Sequence, residues 1–138
     1  MIEVLKPEDI ISYKILIDDC FGSNNDLEQY KKYQKNNAYT IWVVKDKNEV
    51  VASATQYSID LFTFVFQPSL MIFNVATRAD YRRKNIARDL LEHIIENAKA
   101  AGYNSISLTC LDNAYPAHKL YESVGFKKAG SVKYDLYF

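Results

Sequence analysis

"NVATRADYRRKNIARDLLEHIIENAKAAG", Asn74 to Gly102, holds the junction on which the fold turns. The run "SLMIFNVAT", ending at Thr77, is almost continuously apolar, as a strand covered on both faces must be, and this places it centrally in a sheet. Arg82, Arg83 and Lys84 then arrive together, and a helix begins at once. In that helix Ile86, Leu90, Leu91, Ile94, Ile95 and Ala98 recur at helical spacing, Arg88 and Glu92 can pair on the exposed side, and Gly102 supplies the stop. The first turn of a helix carries N–H groups with no intrahelical acceptor, at the positive end of the dipole, so a strand-to-helix junction with a basic loop suits an anion such as pyrophosphate. The competing reading of the same three charges is a solvated basic face.

Outward from the junction the chain reads as alternating elements. "IEVL" is a short strand, and Pro7 with Glu8 and Asp9 opens a helix that runs to about Phe21, where Gly22 ends it. "NDLEQYKKYQ" predicts a second helix with Leu27, Tyr30 and Gln34 on one side. "TIWVVKD" and "VVASATQYSI" flank the turn "KDKNE" as an antiparallel hairpin, and Phe62, Phe64 and Phe66 alternate with Leu61, Thr63 and Val65 at strand spacing. After the long helix, "NSISLTCL" predicts a strand parallel to "SLMIFNVAT" through a crossover connection. "AHKLYESVGF" is a short helix turning Ala117, Leu120, Tyr121 and Val124 inward, and "GFKKAGSVKYDLYF" predicts two closing strands. The expectation is one α/β domain over residues 1–138, with a mixed seven-stranded sheet and about four helices.

With 138 residues, 49% of them hydrophobic, the chain can bury one sizeable core. Seventeen basic residues balance seventeen acidic ones, so no global field draws it to nucleic acid or anionic lipid. Cys20 and Cys110 both lie in apolar segments, which suits reduced core thiols in a cytoplasmic protein. His93 and His118 lack companions at metal-ligand spacing, so no metal is expected. The longest apolar run, "LFTFVFQPSLMIF", falls short of the roughly 18 uncharged residues that span a bilayer. No membrane partner is expected, and a homodimer is compatible with the composition.

"VATRADYRRKNIA" resembles the coenzyme A loop of the GNAT superfamily of N-acetyltransferases, patterned R/Q-x-x-G-x-G/A between a central strand and a helix. Arg82 takes the first position, Asn85 stands where glycine is usual, and Ala87 the last. "AHKLYESVGF" is similar to the superfamily's later signature, a helix with a tyrosine followed by a Gly-Phe turn, here Tyr121, Gly125 and Phe126. The resemblance implies a sheet that is mostly antiparallel, with a central parallel pair splaying around acetyl-CoA as co-substrate. It further implies that backbone groups of Val75, Ala76 and Thr77 pair with the pantetheine. Arg82, Arg83, Lys84, Asn85, Ile86, Ala87 and Arg88 would cradle the phosphates, and Asn113 would match a family asparagine, set one residue farther from the tyrosine than usual. Tyr121 would be the catalytic donor to the leaving thiolate.

No general base is equally clear, since Ser69 to Thr77 contains no carboxylate. Asp112, the tyrosines, or a water held by Asn74 or Ser69 are the candidates. A lysine amine is roughly one part in two thousand neutral at pH 7, whereas an α-amine is about one part in seven neutral, so a less basic amine needs less help. The expected activity is therefore acetyl transfer to a small-molecule primary amine or α-amino compound by direct attack in a ternary complex. The alternatives are a non-catalytic acyl-CoA sensor and an enzyme acting on a protein N-terminus or lysine. His118 reads as a helix-surface residue. The phenylalanine stripe, continued by Met71 and Phe73, reads as packing more readily than as an acceptor pocket.

Overall fold

The computed structural model describes residues 1–60 and 68–138. The stripe at Phe62, Phe64 and Phe66 lies outside the described residues. In chain order the elements are β1 (Ile2–Val4), α1 (Ile10–Phe21), α2 (Leu27–Gln34), β2 (Tyr39–Asp46), β3 (Glu49–Asp60), β4 (Pro68–Thr77), α3 (Ile86–Ala100), β5 (Ser105–Ser107) and α4 (Tyr115–Ser123). Short 3-10 turns at Pro7–Asp9 and Ala79–Tyr81 lead toward α1 and α3.

Local chemistry sets most boundaries. Gly22 ends α1 in the left-handed region at φ 63°, which costs glycine no Cβ clash. Asp26 caps α2, its carboxylate accepting from the Glu28 N–H at 3.1 Å. Lys47 and Asn48, both at positive φ, make the two-residue turn of the β2–β3 hairpin, where such turns match strand twist.

The sheet order is β1-β2-β3-β4-β5, antiparallel except for the parallel pair β4–β5. Alternation along β2 splits the core in two. Ile41 and Val43 face α1 with Ile10, Tyr13, Leu16 and Ile17, while Trp42 and Val44 face the α3 side. There Leu90, Leu91, Ile94 and Ala98 pack on Ala54, Leu70 and Ile72. Each such leucine or isoleucine contributes about 1.5–3 kcal/mol by leaving water. Asp9, buried beneath α1, is neutralised by Lys45 Nζ at 3.0 Å, and this bond raises the lysine's pKa.

Two expectations need correction. The sheet has five strands among the described residues, because the two strands expected within Gly125–Phe138 do not form. Their apolar side chains, Val132, Tyr134 and Leu136, face solvent, and β5 offers only a three-residue edge on which a further strand would pair. For the same reason "NSISLTCL" is a strand only over Ser105–Ser107. The cysteines are free but half-buried rather than fully in the core.

Asp18 is a node on the α1 side. It pairs with Lys14 and accepts from Ser23 Oγ at 2.8 Å and Tyr30 Oη at 2.9 Å, joining α1, the following loop and α2. Lys14 foremost, and then these hydroxyls, hold its pKa down to about 2 against a partial desolvation. A depressed carboxylate pKa stabilises the fold above the unfolded-state value and loses that contribution as pH falls through the folded-state value. The melting-temperature gap between the native chain and Asp18→Asn should thus be present at pH 7 and close between about pH 4 and about pH 2; a gap of constant size would contradict it. On the other face Leu90 is wholly buried, so Leu90→Ala should cost about 2–5 kcal/mol in urea unfolding.

Candidate active site

Parallel pairing of β4 with β5 covers only Ser69↔Ser105, Leu70↔Ile106 and Met71↔Ser107, whereas β4 runs on to Thr77. Ser69 Oγ and Ser105 Oγ, 2.9 Å apart, close the joined end, so Ser69 is occupied at the sheet junction. Beyond Met71 the strands part. A register shift in the β3–β4 ladder near Ser53 and Thr55 accompanies Asn74 at φ 53°, a bulge that kinks β4 where the opening begins.

The cleft that results has a volume of about 550 Å³ and brings together Val75, Ala76 and Thr77 on one wall, Arg82, Arg83 and Asn85 to Arg88 at one end, and Leu120 and Tyr121 opposite. Asn85 sits at φ 59°, ψ 17° immediately before α3, in the left-handed region that asparagine tolerates best among non-glycine residues. Arg83 is also at positive φ. The first α3 bond runs from Asp89 N–H to Asn85 C=O at 3.0 Å, leaving the N–H groups of Ile86, Ala87 and Arg88 without intrahelical acceptors. This donor set, at the dipole's positive end, suits a pyrophosphate.

The basic side chains divide by what already holds them. Arg78 is clamped by Glu49 at 2.6 Å and Asp80 at 2.7 Å, which pushes its pKa up and spends its charge locally. Arg88 pairs with Glu92 at 3.1 Å, and Arg82 Nε donates to Thr77 C=O at 3.2 Å. Lys84 does not line the cleft; its Nζ lies 4.8 Å from the Tyr81 ring centroid. Arg83 lines the cleft and has no carboxylate partner among the described residues.

Tyr121, half-buried on α4, packs edge-on against Phe126 at 6.1 Å. Burial first, and proximity to Cys110 second, push its pKa up, so the phenol stays protonated at neutral pH and can donate. Asn113 is exposed in the turn before α4 and is not among the described residues lining the cleft, and Ala114 holds the N-cap position. His118 is spent on α4's own surroundings, its Nε2 3.0 Å from Leu111 C=O and 3.1 Å from Asp112 C=O, with Cys110 Sγ about 3.8 Å away. Among the described residues no cluster of three or more His, Cys, Asp or Glu side chains gathers as a metal site.

A second cavity of about 450 Å³ lies between α1, α2 and the sheet and shares Phe21 with the first; Asn74 is in its wall, next to Val75 in the other. Among the described residues neither lining contains a carboxylate or a histidine. The sequence reading missed this second wall, built from Tyr13, Tyr30, Tyr33, Tyr39 and Thr55, as well as Cys20, whose thiol donates to Thr77 C=O at 3.6 Å. The available signal was the count of eleven tyrosines, four of them within Tyr13–Tyr39.

Comparison with known proteins agrees with this architecture. N-acetylaspartate synthetase of Xenopus tropicalis is 31% identical over 112 residues, 81% of this chain and 39% of its own length. Human N-acetyltransferase 8 is 28% identical over 100 residues, 72% of this chain and 44% of its own length. The chain thus spans well under half of these curated relatives. The crystal structure of aminoglycoside acetyltransferase meta-AAC0020, from an uncultured soil metagenomic sample, superposes with a TM-score of 0.87 over 100% of this chain and 95% of that one; at 20% identity this is a likeness of fold. Residues 11–126 match the family model described as Acetyltransferase (GNAT) family, and the chain belongs to that family.

Proposed function

We propose that this protein is an N-acetyltransferase, moving the acetyl group of acetyl-CoA to a primary amine of a small molecule or α-amino compound by direct attack in a ternary complex. The observation that carries the reading is the meeting of two cavities at Phe21 and the β4 bulge. One offers an unpaired strand edge and an anion-binding helix terminus, and the other offers room for an amine. Acetyl-CoA, when bound, supplies the thioester that the amine attacks.

Each residue then has a task set by its position. The N–H groups of Ile86 to Arg88 and the Arg83 guanidinium bind the phosphates, and the β4 edge over Val75 to Thr77 aligns the pantetheine as a neighbouring strand would. This holds two reactants at one place and removes the entropic cost of their encounter. Tyr121 Oη keeps its proton at neutral pH and donates to the sulfur as charge builds there. With no carboxylate or histidine among the described residues of either lining, the amine's proton leaves through water, and an amine of low pKa reacts most readily. The same lack of a base favours, as a second reading, an acyl-CoA-binding sensor. Release of free thiol from acetyl-CoA with any primary amine, a peptide N-terminus or lysine peptide included, separates enzyme from sensor.

Tyr121→Phe keeps the ring and removes one donor, so turnover should fall about tenfold to a thousandfold with the melting temperature held. An unchanged rate with chemistry limiting would make Tyr121 a packing residue. Acetyl-CoA at a hundredfold over its dissociation constant should stabilise the fold by about 2.7 kcal/mol. Asn85→Gly should keep affinity within about tenfold, whereas Asn85→Ile, β-branched at positive φ beside the phosphates, should weaken it well beyond that. Calorimetric dissociation constants for the three proteins decide it, and equal affinity for Asn85→Ile would detach position 85 from the cofactor.

A further inference from the structure

The loop between β4 and α3 carries strain that its surroundings must hold. Arg83 at φ 62° and Asn85 at φ 59° are non-glycine residues in the left-handed region, two positions apart. That region is costly for a residue with a Cβ and persists only where the neighbouring structure fixes it. On the C-terminal side α3 fixes it, through the Asp89 N–H bond to Asn85 C=O at 3.0 Å. On the N-terminal side the loop is fastened to the turn end of the β2–β3 hairpin.

That end carries a conflict of charge. Asp46 and Glu49 flank the Lys47–Asn48 turn and stand opposite each other in the β2–β3 register, both exposed. Like charges directly across a ladder repel. The loop supplies a donor to each: Arg78 Nη1 to Glu49 at 2.6 Å, and the Tyr81 hydroxyl to Asp46. The Asp46 carboxylate pushes the phenol's pKa up, so Tyr81 stays protonated and keeps donating at neutral pH. The Arg78 guanidinium carbon and Lys84 Nζ lie 4.7 Å and 4.8 Å from the Tyr81 ring centroid, which adds two cation contacts to the ring. Tyr81 itself lines the cleft, two positions before Arg83, whereas Asp46 is outside the described lining.

We propose that Tyr81 and Asp46 are positioning residues for the anion-binding turn, their hydrogen bond setting Arg83 to Arg88 against the hairpin so that the Ile86, Ala87 and Arg88 N–H groups stay aimed into the cleft. The assignment rests on the reading of that terminus as the phosphate site of acetyl-CoA, and it names the hairpin as the site's fixed point. Backbone donors bind an anion well when they are aimed before it arrives, since a turn that must be reordered gives up part of the binding energy. A turn with two strained residues does not hold its own shape, so its anchor comes from elsewhere in the fold. Arg78 fastens the point where β4 ends. Tyr81 closes the Ala79–Tyr81 turn beside the strained pair, and so acts on the turn itself.

S-acetylpantetheine, which has the thioester and the pantetheine arm but no pyrophosphate, separates this aiming from general damage. Coenzyme A is titrated calorimetrically into the native chain, Tyr81→Phe, Asp46→Ala, Asp46→Asn and the double variant Tyr81→Phe with Asp46→Ala. Thiol release from acetyl-CoA and from S-acetylpantetheine is followed with a panel of primary amines, and the melting temperature is the control for folding. Tyr81→Phe and Asp46→Ala should each weaken coenzyme A about threefold to tenfold, the contribution of one hydrogen bond, and raise KM for acetyl-CoA at unchanged kcat. Asp46→Asn keeps an acceptor oxygen and should weaken it less. The double variant should be no worse than the worse single one, because both remove the same bond. With S-acetylpantetheine all the variants should match the native kcat/KM. Native affinity in Tyr81→Phe, additive losses in the double variant, or an equal loss with S-acetylpantetheine overturns the assignment. The expected affinity pattern without thiol release from any amine overturns the transferase reading and leaves the assignment standing, whereas a native chain that binds no coenzyme A overturns both.

Discussion

Three parallel register pairs hold β4 to β5, and the pairing stops there while β4 continues to Thr77. The cleft and the α3 terminus that borders it are arranged around that stop. Had β5 followed β4 to its end, the edge over Val75 to Thr77 would be spent on a ladder and no cleft would reach the first turn of α3. Two helical layers make the short pairing tolerable, because α1 on one face and α3 on the other bury β4 without help from its neighbour. β4 can therefore lose its neighbour beyond Met71 and still bury Leu70, Ile72 and Ala76.

The basic loop shows how charge is sorted by geometry. Arg78 is consumed in fastening the end of β4 to the β3 hairpin, while Arg83, three positions before the helix, has no carboxylate partner among the described residues and lines the cleft. On the proposed reading, anion binding here draws first on backbone N–H groups, which are rigid and close, and only second on a long side chain that must be ordered. That hierarchy explains why asparagine suffices at position 85. What the loop needs is a backbone that turns at φ 59°, and asparagine provides it at small cost.

A cavity walled by tyrosines, with no carboxylate or histidine among its described lining residues, is suited to little proton chemistry of its own. On the proposed reading the catalytic load falls on positioning and on Tyr121, whose partial burial keeps it protonated at neutral pH and so leaves it a donor and not a base. The substrate then carries part of the burden, since an amine that is already neutral in part at pH 7 needs no base.

The amino-acid sequence by itself determined the elements and their order. Apolar periodicity marked α1, α3 and the hairpin, Gly22 marked a helix end, and the strand-to-helix junction was readable from "VATRADYRRKNIA" because its chemistry is local, one loop and one helix terminus. Most of the residues that line that end of the cleft follow from that locality. Tertiary structure alone decided three things. It left the closing residues without strands, since pairing depends on a neighbouring edge that β5 is too short to provide. It set Asn113 in an exposed turn outside the described cleft lining, since where a turn's side chain emerges depends on how the turn packs. And it gathered Tyr13, Tyr30, Tyr33, Tyr39 and Thr55 from two helices and two strands into one wall, because a site made of residues far apart in the chain exists only once packing brings their faces together.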